Sequence, residues 1–400
     1  MTVKQKIQAT INAANATTSH TDADLTTAVK TLIAGYGQGG GIGGKEVLFY
    51  DYDGTVLYSY SAEEFLSMSS MPSNPVHEGL VAQGWNWSLH EAKEFVEECG
   101  KLNIGQMYKT DSGFTEIDIV LTKKTGLNVT CNIVGTKDWG DGTTDINNTH
   151  TYSDFGNYVI KCNGTDINQY AFGNENYYAI EIRISGEVTS IGNSSFYNCY
   201  SLLSVAIPKD VISISNRAFT ECRRLKYITI PNNITNIFDY TFYDCFSLTK
   251  IALPNGITSI GDSSFRNCSS LDTIIVPNTV TVFYNSAFRS CYSLKEIIYN
   301  GIANINGSYI LSECYPLRSR IRVGNDTVVN NYSFYKCYNI ICYDFTSSET
   351  IPTLDSTNAF SYINGLCKII VPDELYDDWI VATNWVTYAD YIYKASEVTE

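Results

Sequence analysis

The chain has 400 residues, of which 17% are charged, and a formal charge of −15 at pH 7: too long for one core, and too acidic to favour phosphate backbones or anionic lipid as partners. No apolar run approaches the ~20 residues of a membrane-spanning helix, so neither nucleic-acid binding nor membrane insertion is expected. Tyrosine is abundant at 30 residues, and the 12 cysteines are mostly in a regular series rather than the scatter of a disulfide framework.

The first stretch, MTVKQKIQATINAANATT, has no signal-peptide core and reads as an amphipathic helix with Val3, Ile7 and Ile11 on one face. A second helix is expected from Asp22 or Asp24 as N-cap, carrying Leu25, Val29 and Leu32. GYGQGGGIGGK (35–45) follows as a flexible tether. Residues 1–36 are therefore read as a helical docking segment and 37–45 as a Gly-rich linker, the alternative being an ordinary frayed terminus.

Val47–Tyr60, VLFYDYDGTVLYSY, presents D-x-D-G-T after an apolar run, the arrangement of haloacid-dehalogenase-type phosphatases, which would make Asp51 a nucleophile and Asp53 its acid/base partner. GDGTTD (140–145) has the look of a magnesium loop to match. The space between is wrong: fewer than 90 residues separate Asp53 from Asp141, without the helix–strand alternation that a parallel sheet with right-handed crossovers needs. Asp53-Gly54 is better read as a hairpin turn. SAEE (61–64) and SLHE (88–91) are capping boxes, the second opening a helix that closes at Gly100. Residues 46–112 thus read as a small α+β module. The pattern of Phe49, Asp51, Asp53, Gly54, Thr55, Leu57, Pro72, Pro75, Glu78, Gly79, Gly84 and Trp85 resembles the β-grasp-like repeats of internalin-type surface proteins, which implies that Asp-Gly is a turn and Trp85 is core. WGDGTTD (139–145) followed by HTYSDFGNYVIKC (150–162) resembles PKD-like immunoglobulin-type sandwich modules, with Tyr158, Ile160 and Cys162 alternating inward; residues 113–168 are assigned to it, short enough that strands are missing.

From there the text repeats. Cys199, Cys222, Cys245, Cys268, Cys291, Cys314 and Cys337 follow one another every 23 residues, a period proper to a leucine-rich solenoid. Phe196, Phe219, Phe242, Phe265, Phe288, Leu311, Phe334 and Phe360 make one spine, and Leu202, Leu225, Leu248, Leu271, Leu294 and Leu317 a second. The Ile or Val before each Pro is read as a third. Rungs ~4.8 Å apart stack like on like, and no unit buries its face alone. The cysteines read as small structural residues, since metal ligation needs clustered ligands and the chain has four His, namely His20, His77, His90 and His150, far apart. About nine turns are expected over 169–372, the last after a three-residue insertion with Ile363 in the Cys position.

The pattern I-x-x-I-G-x-x-[AS]-F-x-x-C-x-x-L-x-x-I-x-[IL]-P resembles the BspA-type leucine-rich repeats of bacterial and phage surface proteins over roughly 170–372. The tail, 373–400, resembles the helical cap of such arrays, with Leu375, Trp379 and Trp385 plugging the open core. The expected fold is thus a β-rich, α+β multi-module chain: a short helical N-terminus, small β modules, then a capped solenoid.

An aromatic residue follows the repeated Cys at Tyr200, Phe246, Tyr292, Tyr315 and Tyr338, with Arg223 and Ser269 in the remaining places. Tyr197, Tyr243 and Tyr335 follow the repeated Phe. The eight rings form a stripe that either binds a glycan or protein or pads the turns between rungs. No catalytic residue, metal site or cofactor is expected. The function expected is host attachment by a bacteriophage virion protein, docked to other virion proteins through 1–36 and contacting a host cell-surface glycan or protein. Missing export signals and reduced thiols favour assembly in a cytoplasm. A BspA-like bacterial surface adhesin is the alternative, a carbohydrate-active enzyme the second, and homo-oligomerisation stays open.

Overall fold

The computed structural model describes residues 46–78, 80–110, 116–123, 128–153, 156–163, 167–172, 179–184, 187–299, 307–323 and 328–398. The expected docking helices, the glycine tether and His20 lie outside them. In the first module β1 (Val47–Tyr50) and β2 (Val56–Tyr60) form a hairpin. Gly54, at φ 84°, donates its N–H to the Asp51 carbonyl, while Asp53 Oδ1 accepts the Thr55 N–H at 2.9 Å. Helix α1 (Ala62–Leu66) and α2 (Leu89–Cys99) both carry complete capping boxes, on Ser61/Glu64 and Ser88/Glu91, and α2 ends at Gly100. With β3 (Leu80–Trp85) and β4 (Leu102–Thr110) the sheet runs β2-β1-β4-β3, and Phe49, Phe65, Trp85, Phe95 and Ile104 fill the space under the helices.

The next segment supplies β5 (Glu116–Lys123), β6 (Asn128–Thr130), β7 (Thr136–Asp138), β8 (Thr144–Asp145), β9 (Thr149–Thr151) and β10 (Gly156–Asn163). β6 pairs with β9, while β5 and β10 pair antiparallel over eight residues each. Trp139, Tyr152, Ile160 and Cys162 are buried together. β5 also pairs with β11 (Ala179–Arg183), and after β12 (Ser190–Ile191) comes β13 (Ser204–Ala206), which pairs parallel with β11. One sheet, β13-β11-β5-β10-β7-β8, therefore runs from this segment into the repeats, and one hydrophobic core continues through both.

The repeats form a β-solenoid of about nine turns of ~23 residues. One column of short parallel strands contains β13, Tyr227–Thr229, Lys250–Ala252, Thr273–Ile275 and Glu296–Ile298; a second contains β12, Ser213–Ile214, Asn236–Ile237, Ser259–Ile260 and Val282–Phe283. The seven Phe of the spine and Leu311 are buried, with successive rings 5.2–5.6 Å apart from Phe172 to Phe288 and between Phe334 and Phe360. The wide turn that carries Phe and Cys has a ladder of its own. Ser194, Arg217, Tyr240, Ser263, Ser286, Tyr309 and Tyr332 stand at positive φ, as do Asn198, Glu221, Asp244, Asn267, Ser290, Glu313 and Lys336. This left-handed conformation aims those N–H groups, Tyr332 excepted, along the solenoid axis at a carbonyl of the next turn, as from Glu221 to Tyr243 at 2.7 Å and from Glu313 to Tyr335 at 2.8 Å. The backbone polarity of a non-strand turn is thereby satisfied between rungs.

All seven repeat cysteines are buried thiols. Cys222 Sγ donates to the Phe196 carbonyl at 3.3 Å, and Cys245, Cys268, Cys291 and Cys314 repeat this at 3.2 Å, each to the spine residue 26 places earlier. No cluster of metal-ligating side chains occurs among the described residues. At the far end Trp379 and Trp385 are buried and Leu375 packs beside them, as the cap reading expected. The cap is helical only in part: Asp373–Leu375 and Tyr376–Trp379 are helical, Trp385–Tyr391 is a 3-10 helix, and Ile392–Lys394 adds a last parallel strand beside Lys368–Val371.

The first module lies on the first strand column. Ile275 and Ile298 join its core, Tyr50 stacks on Tyr227 at 4.9 Å, and Ala206 packs with Tyr52 and Tyr108. Asn86, at 1% exposure, donates from Nδ2 to the Ile230 and Ala252 carbonyls and accepts the Gly105 N–H at 2.7 Å. Trp87 Nε1 donates to the Leu253 carbonyl at 2.8 Å, and Lys101 Nζ meets Glu296 at 2.9 Å. Gly105 is what lets β4 approach so closely: a Cβ there would fall 2.2 Å from Thr229 Oγ1.

Candidate functional site

The two acidic motifs have structural occupations. Asp51 is 3% exposed; its Oδ1 accepts the Tyr108 hydroxyl at 2.8 Å and the Tyr52 N–H at 2.9 Å, and Oδ2 lies 2.7 Å from His77 Nε2. Tyr52 in turn donates to Glu181 Oε1 at 3.1 Å, which also takes the Arg183 Nε. Burial, then the neighbouring acids, drive the Tyr52 and Tyr108 hydroxyls far above the ordinary phenol range. The carboxylate that would attack phosphorus is thus tied up inside the first module, and it is the neighbouring Tyr52 that reaches across to Glu181. Asp141 closes a turn by accepting the Thr143 N–H at 3.0 Å, and its Oδ2 lies 2.7 Å from His150 Nε2, whose ring stacks on Trp139.

The eight rings singled out by repeat position fall into two groups. Toward the N-terminal end, the Arg223 guanidinium lies 4.3 Å from the Tyr200 ring and 5.6 Å from Phe246, while Tyr243 contacts Tyr240 at 5.7 Å. Tyr197 is half-buried. Toward the C-terminal end the rings connect. Tyr292 stacks on Tyr315 at 5.5 Å and Tyr315 meets Tyr338 at 5.6 Å. Tyr338 and Tyr335 both abut Tyr362 edge-on, at 5.9 and 5.5 Å, and Tyr335 touches Tyr332, which stacks on Tyr309 at 4.9 Å. Seven tyrosines thus form one surface chain, with Tyr292, Tyr338 and Tyr362 exposed at 46%, 40% and 58%. Arg289 stands over Tyr309 and Lys336 over Tyr335, at 4.7 and 5.0 Å.

Tyr309, Tyr332 and Tyr362 were not among the rings chosen from the repeat. The first two share the Tyr240 column, a 23-residue register that the text did contain. Tyr362 stands beyond the three-residue insertion, which shifts it out of that count. The stacking also alters what the edge offers. Rings in register cover one another's faces, so the stack presents rims and hydroxyls. The series breaks at Ser269, between Phe246 and Tyr292, leaving a rung without a ring and two flanking rings two strand spacings, or ~10 Å, apart.

A family model for the BspA type leucine rich repeat region matches in six copies over residues 165–295 and 235–367, which together cover just over half of the chain. Among solved structures, the T. pallidum leucine rich repeat protein is 25% identical, with a TM-score of 0.37, over 40% of this chain and 73% of that one. A leucine rich cell surface protein from Faecalibacterium prausnitzii is 20% identical over 62% of this chain and 89% of its own, with a TM-score of 0.35. A leucine-rich repeat protein from Bacteroides ovatus is 18% identical over 68% and 99%, with a TM-score of 0.32. No curated protein matches the chain. The thiol ladder, the stacked phenylalanine spine and the family match agree: this chain belongs to the BspA-type leucine-rich repeat family.

Proposed function

We propose that the protein is a non-enzymatic attachment protein that grips a cell-surface glycan or protein with the turn edge of its solenoid, through Tyr197, Tyr200, Tyr243, Phe246, Tyr292, Tyr315, Tyr335 and Tyr338. The observation that carries this reading is the connected chain of seven exposed or half-exposed tyrosines. Two further facts support it. The first strand column is already covered from Ala206 to Ile298 by the protein's own module, whereas the turn edge is uncovered. Tyr240, Tyr309, Tyr332 and Tyr362 occupy left-handed backbone positions at φ 57–70°, where Gly or Asn would be less strained. The vacant rung at Ser269 is the place where a ring of the target would enter, between Phe246 and Tyr292.

The carrier we infer is a bacteriophage virion, with residues 1–36 docking to other virion proteins. The bacterial cell surface is the second reading, and family membership favours it. Proteomics of purified particles against surface-labelled cells separates the two. For the edge itself, Tyr292→Ala with Tyr315→Ala should lower adhesion to target cells at least tenfold with a small change in melting temperature. Ser269→Tyr should continue the stack, fill the vacant rung and lower adhesion as much while leaving the fold intact. Full adhesion by both variants, or a stability loss with unchanged adhesion, would make the rings padding between turns.

A further inference from the structure

Cys131 and Cys162 stand apart from the thiol ladder. Cys131 follows β6 and Cys162 lies in β10, in different sheets, and their sulfurs are 3.3 Å apart with both residues fully buried. In the ladder each Sγ–H has a carbonyl acceptor in the preceding turn; here the two sulfurs face each other, and Cys131 also meets the Ile133 backbone. We propose that Cys131 and Cys162 are a modification site: they close a disulfide that ties the two sheets of the segment ahead of the repeats, while the ladder cysteines stay thiols.

The chemistry is thiol–disulfide exchange with a disulfide oxidant such as glutathione disulfide, during folding while the pair is accessible. The Cys131 thiolate attacks one oxidant sulfur and expels the other as thiolate. Cys162 thiolate then attacks Sγ of Cys131, forming the Sγ–Sγ bond and releasing the second oxidant thiolate. The two thiol protons end on the released thiolates, and the oxidant takes the electron pair. Once folded, the two sulfurs differ in surroundings from the ladder. Burial works against its thiolate, but the contact with Cys162, the Ile133 backbone and the Lys137 ammonium outweigh it and lower its pKa. The ladder is opposite: burial pushes Cys199 up to about 12, and Cys222 and Cys268 well above the ordinary thiol value. The bond would close a loop between residues 31 apart in sequence, long enough to restrict the unfolded chain substantially.

The full chain, refolded with a glutathione/glutathione-disulfide couple, is denatured, alkylated with N-ethylmaleimide and mapped by mass spectrometry. Ten of the 12 cysteines should take the label, and one linked peptide pair should contain Cys131 and Cys162. Reduction should lower the melting temperature of the native sequence by about 5 °C and leave Cys162→Ser unmoved. Labelling of all 12 cysteines, or a linkage through the ladder instead, overturns the proposal. The map is made on the native sequence, so it decides the matter even if the serine variant fails to fold.

Discussion

A cysteine repeated every 23 residues is explained by what its proton meets. Each buried Sγ–H adds a second donor to the carbonyl of a spine residue one turn back, which already accepts the N–H of the Cys in its own rung, so the thiol ties neighbouring rungs together. Cys268→Ala would remove the sulfur and one of the two donors to the Phe242 carbonyl, which keeps the Cys245 N–H, and should cost about 1 kcal/mol, read as a lower denaturant midpoint with an unchanged slope; an unchanged midpoint would remove the thiol bond from the account. The same burial dictates the alkaline response. Folded-state pKa values of the ladder thiols stand above the ordinary 9.0, so the native state keeps protons that the unfolded chain releases. Their contribution is whole below pH 9 and is lost as pH climbs toward the folded value, about 12 for Cys199. Melting temperature should therefore hold level from pH 7 to 8.5 and fall steeply above 9; a level curve to pH 11 would contradict it.

At the scale of elements, the places where the repeat departs from its pattern are informative. Leu311 interrupts the phenylalanine spine, and a cavity of about 30 Å³ opens beside it, lined by Phe288, Ile310, Leu311 and Phe334 among others. Leu311→Phe should fill the gap and rejoin the stack, raising stability by ~0.7 kcal/mol at ~24 cal/mol per Å³ of cavity; destabilisation would mean that the rung cannot take the ring. Spines, cysteine column and cap tryptophans were legible because each repeats or ends a fixed period. The carbonyl partners were not, since spacing reports which residues share a column and not which atoms face across rungs. The tyrosine chain was half legible: Tyr292, Tyr315, Tyr335 and Tyr338 lie beside the Cys and Phe markers, whereas Tyr362 lies past an insertion.

The whole molecule is more compact than a string of modules. The first module read as a small α+β unit, and its hairpin, capping boxes and tryptophan core follow from local residues. Nothing in its text connects Asn86, Trp87 or Gly105 with carbonyls and side chains at 227–253, because those contacts have no period and no motif. Together with the apolar contacts they cover the first strand column from Ala206 to Ile298. Asn86→Ala would leave the Gly105 N–H without its side-chain acceptor and two solenoid carbonyls without that donor, at a cost of about 2–3 kcal/mol. The docking itself is tested most directly by zero-length carbodiimide coupling of the native protein followed by peptide mapping. Lys101 and Glu296 are 195 residues apart in sequence, half-exposed, and in contact at 2.9 Å, so an amide should join them. Coupling of Lys101 only to carboxylates of its own module would contradict a first module seated on the solenoid.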